Sequence, residues 1–283
     1  MRQGKRMSIS WYPGHMHKAS KELVKLMGSV DAVIEVLDAR APQASSNPLL
    51  SDIRKLLPCI KILNKTDLAD AQTTRSWQGH YNILKQTICL TSGSNKLLSK
   101  SQLIDAAERL LGHDKPVSKA RFELAIIGIP NVGKSTLLNT LADRKLARTG
   151  NEPAVTRHQQ RIKLAENRYL VDTPGMMWPK LEDQAGAYKL AMLGSIRNTA
   201  VSADDIAWFA AELLLSEFRD RLARRYDLAG SVQTPLQLLE QVAEIRGCLT
   251  KGGKADFNKA SEALLNDIRS GKLGQLSLER PPA

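Results

Sequence analysis

The stretch that decides the fold is Gly128-Ile129-Pro130-Asn131-Val132-Gly133-Lys134-Ser135. It fits the pattern G-x-x-x-x-G-K-[ST], a phosphate-binding loop when a strand precedes it and a helix follows. Both flanks are present: the apolar run Phe122–Ile127 before it and a helical pattern from Lys134 after it. Such a loop turns backbone N–H groups inward around phosphate oxygens, and the helix N-terminus adds partial positive charge. Lys134 is expected to reach the β- and γ-phosphates and the Ser135 hydroxyl to ligate Mg²⁺, with Asn131, Val132, Gly133 and Thr136 lining the same loop.

Working outward, short β-branched runs alternate with helix-length stretches. Ala32–Leu37, Cys59–Leu63, Thr87–Leu90, Phe122–Ile127, Arg157–Leu164 and Arg168–Val171 read as strands, the last two as a hairpin over Ala165–Asn167. Residues 17–28, 43–56, 70–84, 100–111 and 134–143 read as helices. This alternation predicts an α/β unit with a mostly parallel sheet covered on both faces. After Gln184 only helical patterns remain. Ser202-x-x-Asp205 and Thr234-Pro235-Leu236-Gln237 are helix starts, and a last helix is expected over 257–269. The predicted division is therefore 1–180, with a basic arm at 1–16, and an all-helical domain at 181–283.

Two further loops specify the nucleotide. Asp172-Thr173-Pro174-Gly175 closes a strand downstream of the phosphate loop, so Asp172 can hold Mg²⁺ through water and the Gly175 N–H can meet the γ-phosphate. Asn64-Lys65-Thr66-Asp67 follows another strand. Guanine presents two adjacent donors, N1–H and the 2-amino group, and the Asp67 carboxylate can accept both, whereas adenine lacks that amino group. Lys65 is expected over the ring, Asn64 to fix the loop, and Thr91-Ser92-Gly93 to offer N–H groups to guanine O6. GTP is thus favoured over ATP. The usual order of these motifs in GTPases starts with the phosphate loop. Here the base-reading motifs precede it, which predicts a circular permutation.

Charge adds a partner class. The 283-residue chain carries 41 Lys+Arg against 29 Asp+Glu, a net charge of +12. Residues 1–179 hold 27 basic and 15 acidic side chains, and the remainder hold 14 of each, so the whole excess lies on the first part. A basic surface suggests a polyanion such as RNA; the alternative is a merely solvated basic protein. Candidate RNA contacts are Arg2, Lys5, Arg6, Lys18, Lys21 and Lys25. Arg224 and Arg225 are candidates too, or simply a solvated helix end. Arg40 is read as a structural anchor. No apolar run approaches the ~18 residues of a membrane span, and no signal sequence is evident. Cys59, Cys89 and Cys248 have no paired spacing and read as reduced thiols. A monomer in the cytoplasm is expected.

The motif order, together with Trp11-Tyr12-Pro13-Gly14-His15-Met16, Asp38-Ala39-Arg40, the Gly150–Thr156 segment, Arg246-Gly247-Cys248-Leu249 and Gly252-Gly253, resembles the circularly permuted YlqF-type GTPases, the ribosome biogenesis GTPase A family. The resemblance covers essentially the whole chain. It implies hydrolysis of GTP to GDP and phosphate, slow alone and stimulated by the large (50S) ribosomal subunit and its rRNA. It implies Thr156 as a switch ligand of Mg²⁺. One departure stands in that switch: Pro153-Ala154-Val155-Thr156 has Ala154 where the family usually has Gly. The position that carries a water-orienting Gln in Ras-like enzymes is Met176, which cannot polarise water. The permutation brings residues 11–16 to the start of the helix in the switch II position. His15 is therefore the catalytic candidate, a role the resemblance also implies; its alternatives are a helix cap or an RNA contact. Asn131 is a candidate K⁺ ligand, or a simple loop hydrogen bond. Three competing readings remain: a GTP-timed RNA-binding module with incidental hydrolysis, a P-loop ATPase or nucleotide kinase, and a GTPase for the small subunit or tRNA.

Overall fold

The computed structural model describes residues 22–48, 57–112, 121–142, 160–173, 175, 183–196, 201–228, 230 and 232–282. The chain forms two compact units. The first is built from residues between 12 and 180 together with the Ser277–Ala283 segment; the second is Leu181–Leu276.

The first unit holds a six-stranded sheet: β1 (Ala32–Asp38), β2 (Cys59–Asn64), β3 (Thr87–Thr91), β4 (Phe122–Ile127), β5 (Gln160–Ala165) and β6 (Arg168–Asp172). Their spatial order is β3-β2-β1-β4-β6-β5. All neighbouring pairs are parallel except the β5–β6 hairpin. β1 and β2 are buried along their whole length, as strands covered on both faces must be. That is why they read as mostly apolar runs rather than alternating ones, broken only by Glu35 and Lys61, which pair with each other, before the polar ends Asp38 and Asn64. Edge strand β5 instead alternates, exposing Arg161 and Lys163 while burying Ile162 and Leu164. The Arg161 guanidinium lies 3.7 Å from the Tyr169 ring centroid and 3.1 Å from Glu123. Such charges blunt an edge that would otherwise pair with other chains.

Helices α1 (22–27), α2 (Pro42–Ser45), α3 (Ala71–Asn82), α4 (Lys100–Leu110) and α5 (Lys134–Leu141) connect the strands. Leu23 and Met27 of α1 pack on Val33, Ala125 and Ile127. Trp77 and Tyr81 of α3 pack on Leu37, Leu63 and Cys89, with the two rings stacked at 5.4 Å. Burial pushes the Cys89 thiol up to about 12 against a small opposing effect of Lys61, in keeping with a reduced core cysteine. The predicted helix over 43–56 is corrected in its described part, which is interrupted at Ser46 and Asn47 and is helical again at Pro48; residues 49–56 lie outside the described residues. Pro42–Ser45 stops at Ser46, whose backbone is extended. Asn47 and Pro48 follow, and the residue before a proline is pushed out of the helical region.

The second unit contains α6 (Gln184–Met192), α7 (Ala203–Glu217), α8 (Arg219–Tyr226), α9 (Pro235–Ile245) and α10 (Phe257–Arg269). Thr234 and Gln237 form a complete capping box, whereas at Ser202 only the hydroxyl half is made, to the Asp205 N–H. The fully buried Asp267 gathers Arg225 at 2.7 Å, the Tyr226 hydroxyl at 3.0 Å, and Arg246 and Lys272 at 3.4 and 3.5 Å. A buried carboxylate is tolerated when it is paired in this way. The predicted boundary at 181–283 is also corrected. Ser277 onward lies on the first unit, because Leu278 finds a buried apolar site there and the backbone around it finds hydrogen-bond partners.

Candidate functional site

The phosphate loop, the two base-reading loops, Asp38–Arg40 and Asp172–Thr173 lie at the carboxyl ends of β4, β2, β3, β1 and β6, where open α/β sheets place their ligand crevice. The phosphate loop runs from β4 into α5. Gly133 has φ +93°, and a Cβ there would collide with the Asn64 amide, so only glycine fits. Asn64 uses that amide to donate to the Val132 carbonyl at 2.8 Å. Base-reading loop and phosphate loop are thus tied directly, which is the fixing role expected of Asn64.

Lys65 makes a second tie. Its Nζ donates to the Asn131 carbonyl and, at 2.9 Å, to Asp38 Oδ2. Its backbone is left-handed, φ 61°, an uncommon conformation for a side chain of this kind. The ion pair with Asp38 offsets that strain. Asp38 also receives both Arg40 Nε and Nη2 at 2.9 Å. Burial would push the Asp38 carboxyl up, but the Arg40 and Lys65 charges outweigh it and hold it well below the usual carboxylate range. Burial pushes the Lys65 ammonium below its ordinary value, with Asp38 opposing. Arg40 is therefore the loop anchor the sequence indicated, and Asp38 is a site residue that sequence reasoning passed over. The available signal was its place in Asp38-Ala39-Arg40, at the end of the first strand run and two residues before an arginine.

Asp67 is half-buried. Its Oδ1 accepts the Ser94 N–H at 2.9 Å and its Oδ2 the Ser94 hydroxyl at 2.7 Å. Burial raises this carboxyl, but the Ser94 hydrogen bonds dominate and lower it. The Thr66 N–H donates to the Ser92 carbonyl at 3.1 Å, closing the base-reading loop on the end of β3. Gly93 is wedged here: a Cβ would lie 2.8 Å from Asp67 Oδ1. The expected donors to guanine O6 are otherwise engaged. The Ser92 N–H bonds the Leu63 carbonyl at 2.9 Å and the Gly93 N–H the Lys96 carbonyl at 3.0 Å, because a tight turn closes immediately after Thr91. Ser94, just beyond the predicted segment, is the residue that meets Asp67.

At the phosphate end, Lys134 Nζ donates to Asp172 Oδ1 at 3.0 Å and to the Thr173 carbonyl. Both side chains are buried. Thr173 Oγ donates to the Ile126 carbonyl at 2.7 Å, pinning the end of β6 to β4. Gly175 packs on the phosphate loop, where a Cβ in its place would lie 3.4 Å from Pro130. Ser135 is half-buried and Thr136 exposed, both in the first turn of α5. His15, Thr156, Arg2, Lys5, Arg6, Lys18 and Lys21 lie outside the described residues. Lys25 is exposed on α1. Arg224 is exposed on α8, whereas Arg225 uses Nε and Nη2 on Asp267, at 2.8 and 2.7 Å. Its guanidinium therefore has a structural partner that the sequence did not reveal.

The chain matches a family model described as "50S ribosome-binding GTPase" over residues 123–233, from β4 through the phosphate loop and beyond. It is 38% identical to Ribosome biogenesis GTPase A of Bacillus licheniformis, with 97% of this chain and 99% of that one aligned. The chain belongs to the ribosome biogenesis GTPase A family. A second family member, from Thermotoga maritima, is 31% identical over 96% of this chain and 95% of its own. Mouse mitochondrial ribosome-associated GTPase 1 is 32% identical, covering 95% and 90%. Among solved structures, GNP-bound YlqF from T. maritima superposes with a TM-score of 0.68 at 28% identity, over 93% of this chain and 98% of that one. A GDP-bound YlqF gives 0.67 at 28% identity, over 92% and 99%. Family membership makes this a GTP-binding GTPase of ribosome biogenesis, and the crevice at the strand ends is where its motifs converge. Among the described residues no helix is long and apolar enough to cross a membrane.

Proposed function

We propose that this protein hydrolyses GTP while bound to the large ribosomal subunit, and that subunit RNA stimulates its turnover. One observation carries the nucleotide reading: Asn64 and Lys65 of the base-reading loop are hydrogen-bonded to the Val132 and Asn131 carbonyls of the phosphate loop. The two loops are therefore joined side by side, with Asp67 on the base-reading loop and Lys134 on the phosphate loop, as one nucleotide site needs. With the base-reading strands β2 and β3 ahead of the phosphate-loop strand β4 in the chain, the fold is read as a circularly permuted GTPase domain. The α6–α10 unit is then its C-terminal helical domain.

Mg²⁺ suits this site, since the Ser135 hydroxyl and Asp172 carboxylate are hard oxygen donors and Asp172 already stands beside a cation, Lys134. Bound with GTP, the metal supplies neutralisation of charge on the β- and γ-phosphates. In this reading Lys134 would turn from Asp172 to the phosphates, Ser135, Thr156 and Asp172 would hold Mg²⁺, and the Gly175 N–H would meet the γ-phosphate. His15 orients the attacking water. The Asn131 side chain holds K⁺, whose charge adds to that of Lys134.

The relatives' names point to ribosomal partners, and the description of the matching family to the 50S subunit. The +12 charge supports contact with rRNA, which should weaken steeply with salt as counterions are released. Lys25 and Arg224 are the exposed candidates, and Arg225 supports the surface only through Asp267. A protein working on ribosomal subunits is placed in the cytoplasm, as a monomer. The test is GTP turnover with and without large subunits, in K⁺ and in Na⁺, for wild type and His15→Ala. Turnover should rise with large subunits, rise further in K⁺, and lose that rise in His15→Ala with binding intact. Stimulation by small subunits instead would overturn the target.

A further inference from the structure

The segment that returns from the second unit meets the first at particular places. The Leu278 N–H donates to the Arg40 carbonyl at 2.7 Å. Glu279 Oε2 accepts the Gln43 and Ala44 N–H groups at 2.8 and 3.2 Å. The Glu279 carbonyl accepts Trp77 Nε1–H at 3.2 Å. Ser277 Oγ accepts the Asp70 N–H at 3.1 Å, from 207 residues away in sequence. Leu278 itself is buried.

These contacts bracket the base-reading loop. Arg40 is the residue whose guanidinium holds Asp38, and Asp38 holds Lys65. Asp70 lies three residues past Asp67 and caps α3 by accepting the Thr73 N–H at 2.8 Å. Gln43 and Ala44 belong to α2, directly after Arg40. The segment therefore grips the chain on both sides of Asn64–Asp67, through backbone groups whose positions fix those side chains.

We propose that Ser277–Glu279 is a positioning part of the guanine pocket, holding the base-reading loop through Arg40 and Asp70 so that selection of guanine depends on it. The proposal rests on the guanine-pocket reading above. By linkage, a segment that improves nucleotide binding is itself held more tightly when the nucleotide is bound.

The test compares GDP with inosine diphosphate, which lacks only the 2-amino group that Asp67 is read to accept. Dissociation constants for both are measured for wild type, a chain ending at Leu276, Glu279→Ala and Glu279→Gln, with thermal unfolding recorded for each. The shortened chain and Glu279→Ala should bind GDP about 5- to 30-fold more weakly. Their GDP-to-IDP preference should fall toward unity while unfolding stays cooperative. Glu279→Gln, which keeps an acceptor oxygen, should remain near wild type. In wild type, hydrogen exchange at the Leu278 amide should slow when GDP is added. An unchanged GDP-to-IDP ratio in Glu279→Ala, or exchange at Leu278 indifferent to GDP, would overturn the proposal even if the shortened chain failed to fold. Wild type without any preference for GDP over IDP would instead overturn the pocket reading itself.

Discussion

The base end and the phosphate end of the crevice are held in different ways. At the base end, each recognising side chain is held by a group other than a charged phosphate ligand: Asp38 for Lys65, the Val132 backbone carbonyl for Asn64, Ser94 for Asp67. At the phosphate end, the recognising groups are partners of one another, Lys134 with Asp172. In the proposed reading the base end is organised for guanine in advance, whereas a triphosphate would have to open an ion pair before using either member. Preorganised sites lose less entropy on binding and discriminate more sharply. A site that must rearrange is suited to sensing which phosphate is present.

Three measurements would break or sharpen this contrast. The largest effect is expected from Asp67→Ala, which should weaken GDP about 10²- to 10³-fold, the scale of losing two hydrogen bonds to a charged acceptor. Titration with GDP and IDP checks it, and an equal loss for both would show that the base end is not organised for the 2-amino group. Next, Lys134→Met should lower stability by about 3 kcal/mol before any nucleotide is added, because Asp172 is left buried and unpaired. Adding Asp172→Asn should recover part of that loss in urea unfolding. Full stability in Lys134→Met would mean the pair is not a closed unit. The smallest effect concerns pH. The folded Asp38 stays ionised below the usual carboxylate value of about 3.9, where the unfolded chain takes up its proton. The unfolded state then binds more protons, so the stabilisation is present above about pH 4 and is lost as pH falls from there toward the depressed folded value. Comparing urea unfolding at pH 6 and near pH 3.5 in wild type and Asp38→Asn should show a shallower fall in the variant.

Much of the fold was legible in the sequence because the strands are short, β-branched and bounded by turns. Phe122–Ile127 and the helix 257–269 match their expected limits, and most of the other strands start where expected and differ by a residue at the end. The helix read over 43–56 is broken at Ser46 and Asn47, because the residue before Pro48 is pushed out of the helical region, while Pro48 itself is helical. Within the site, the ordered motifs Asn64–Asp67 and Gly128–Ser135 announced themselves by spacing. Asp38, Ser94 and Glu279 did not, since each acts by holding something distant in the chain. A lone acid or serine carries no spacing signal of its own. Arg225 shows the converse: beside Arg224 it read as an RNA contact or a solvated helix end, and it is turned to an aspartate 42 residues away.

Because Ser277–Glu279 lies on the first unit, that unit is assembled from parts made at different times. A ribosome synthesising this chain completes β1 to β6 early, then makes all of Leu181–Leu276, and only afterwards supplies the residues that meet Arg40, Asp70 and Trp77. Domains generally fold as units in the order they emerge. Here the first unit is the last to be finished: Arg40, Asp70 and Trp77 receive their partners only after the helical portion has been translated.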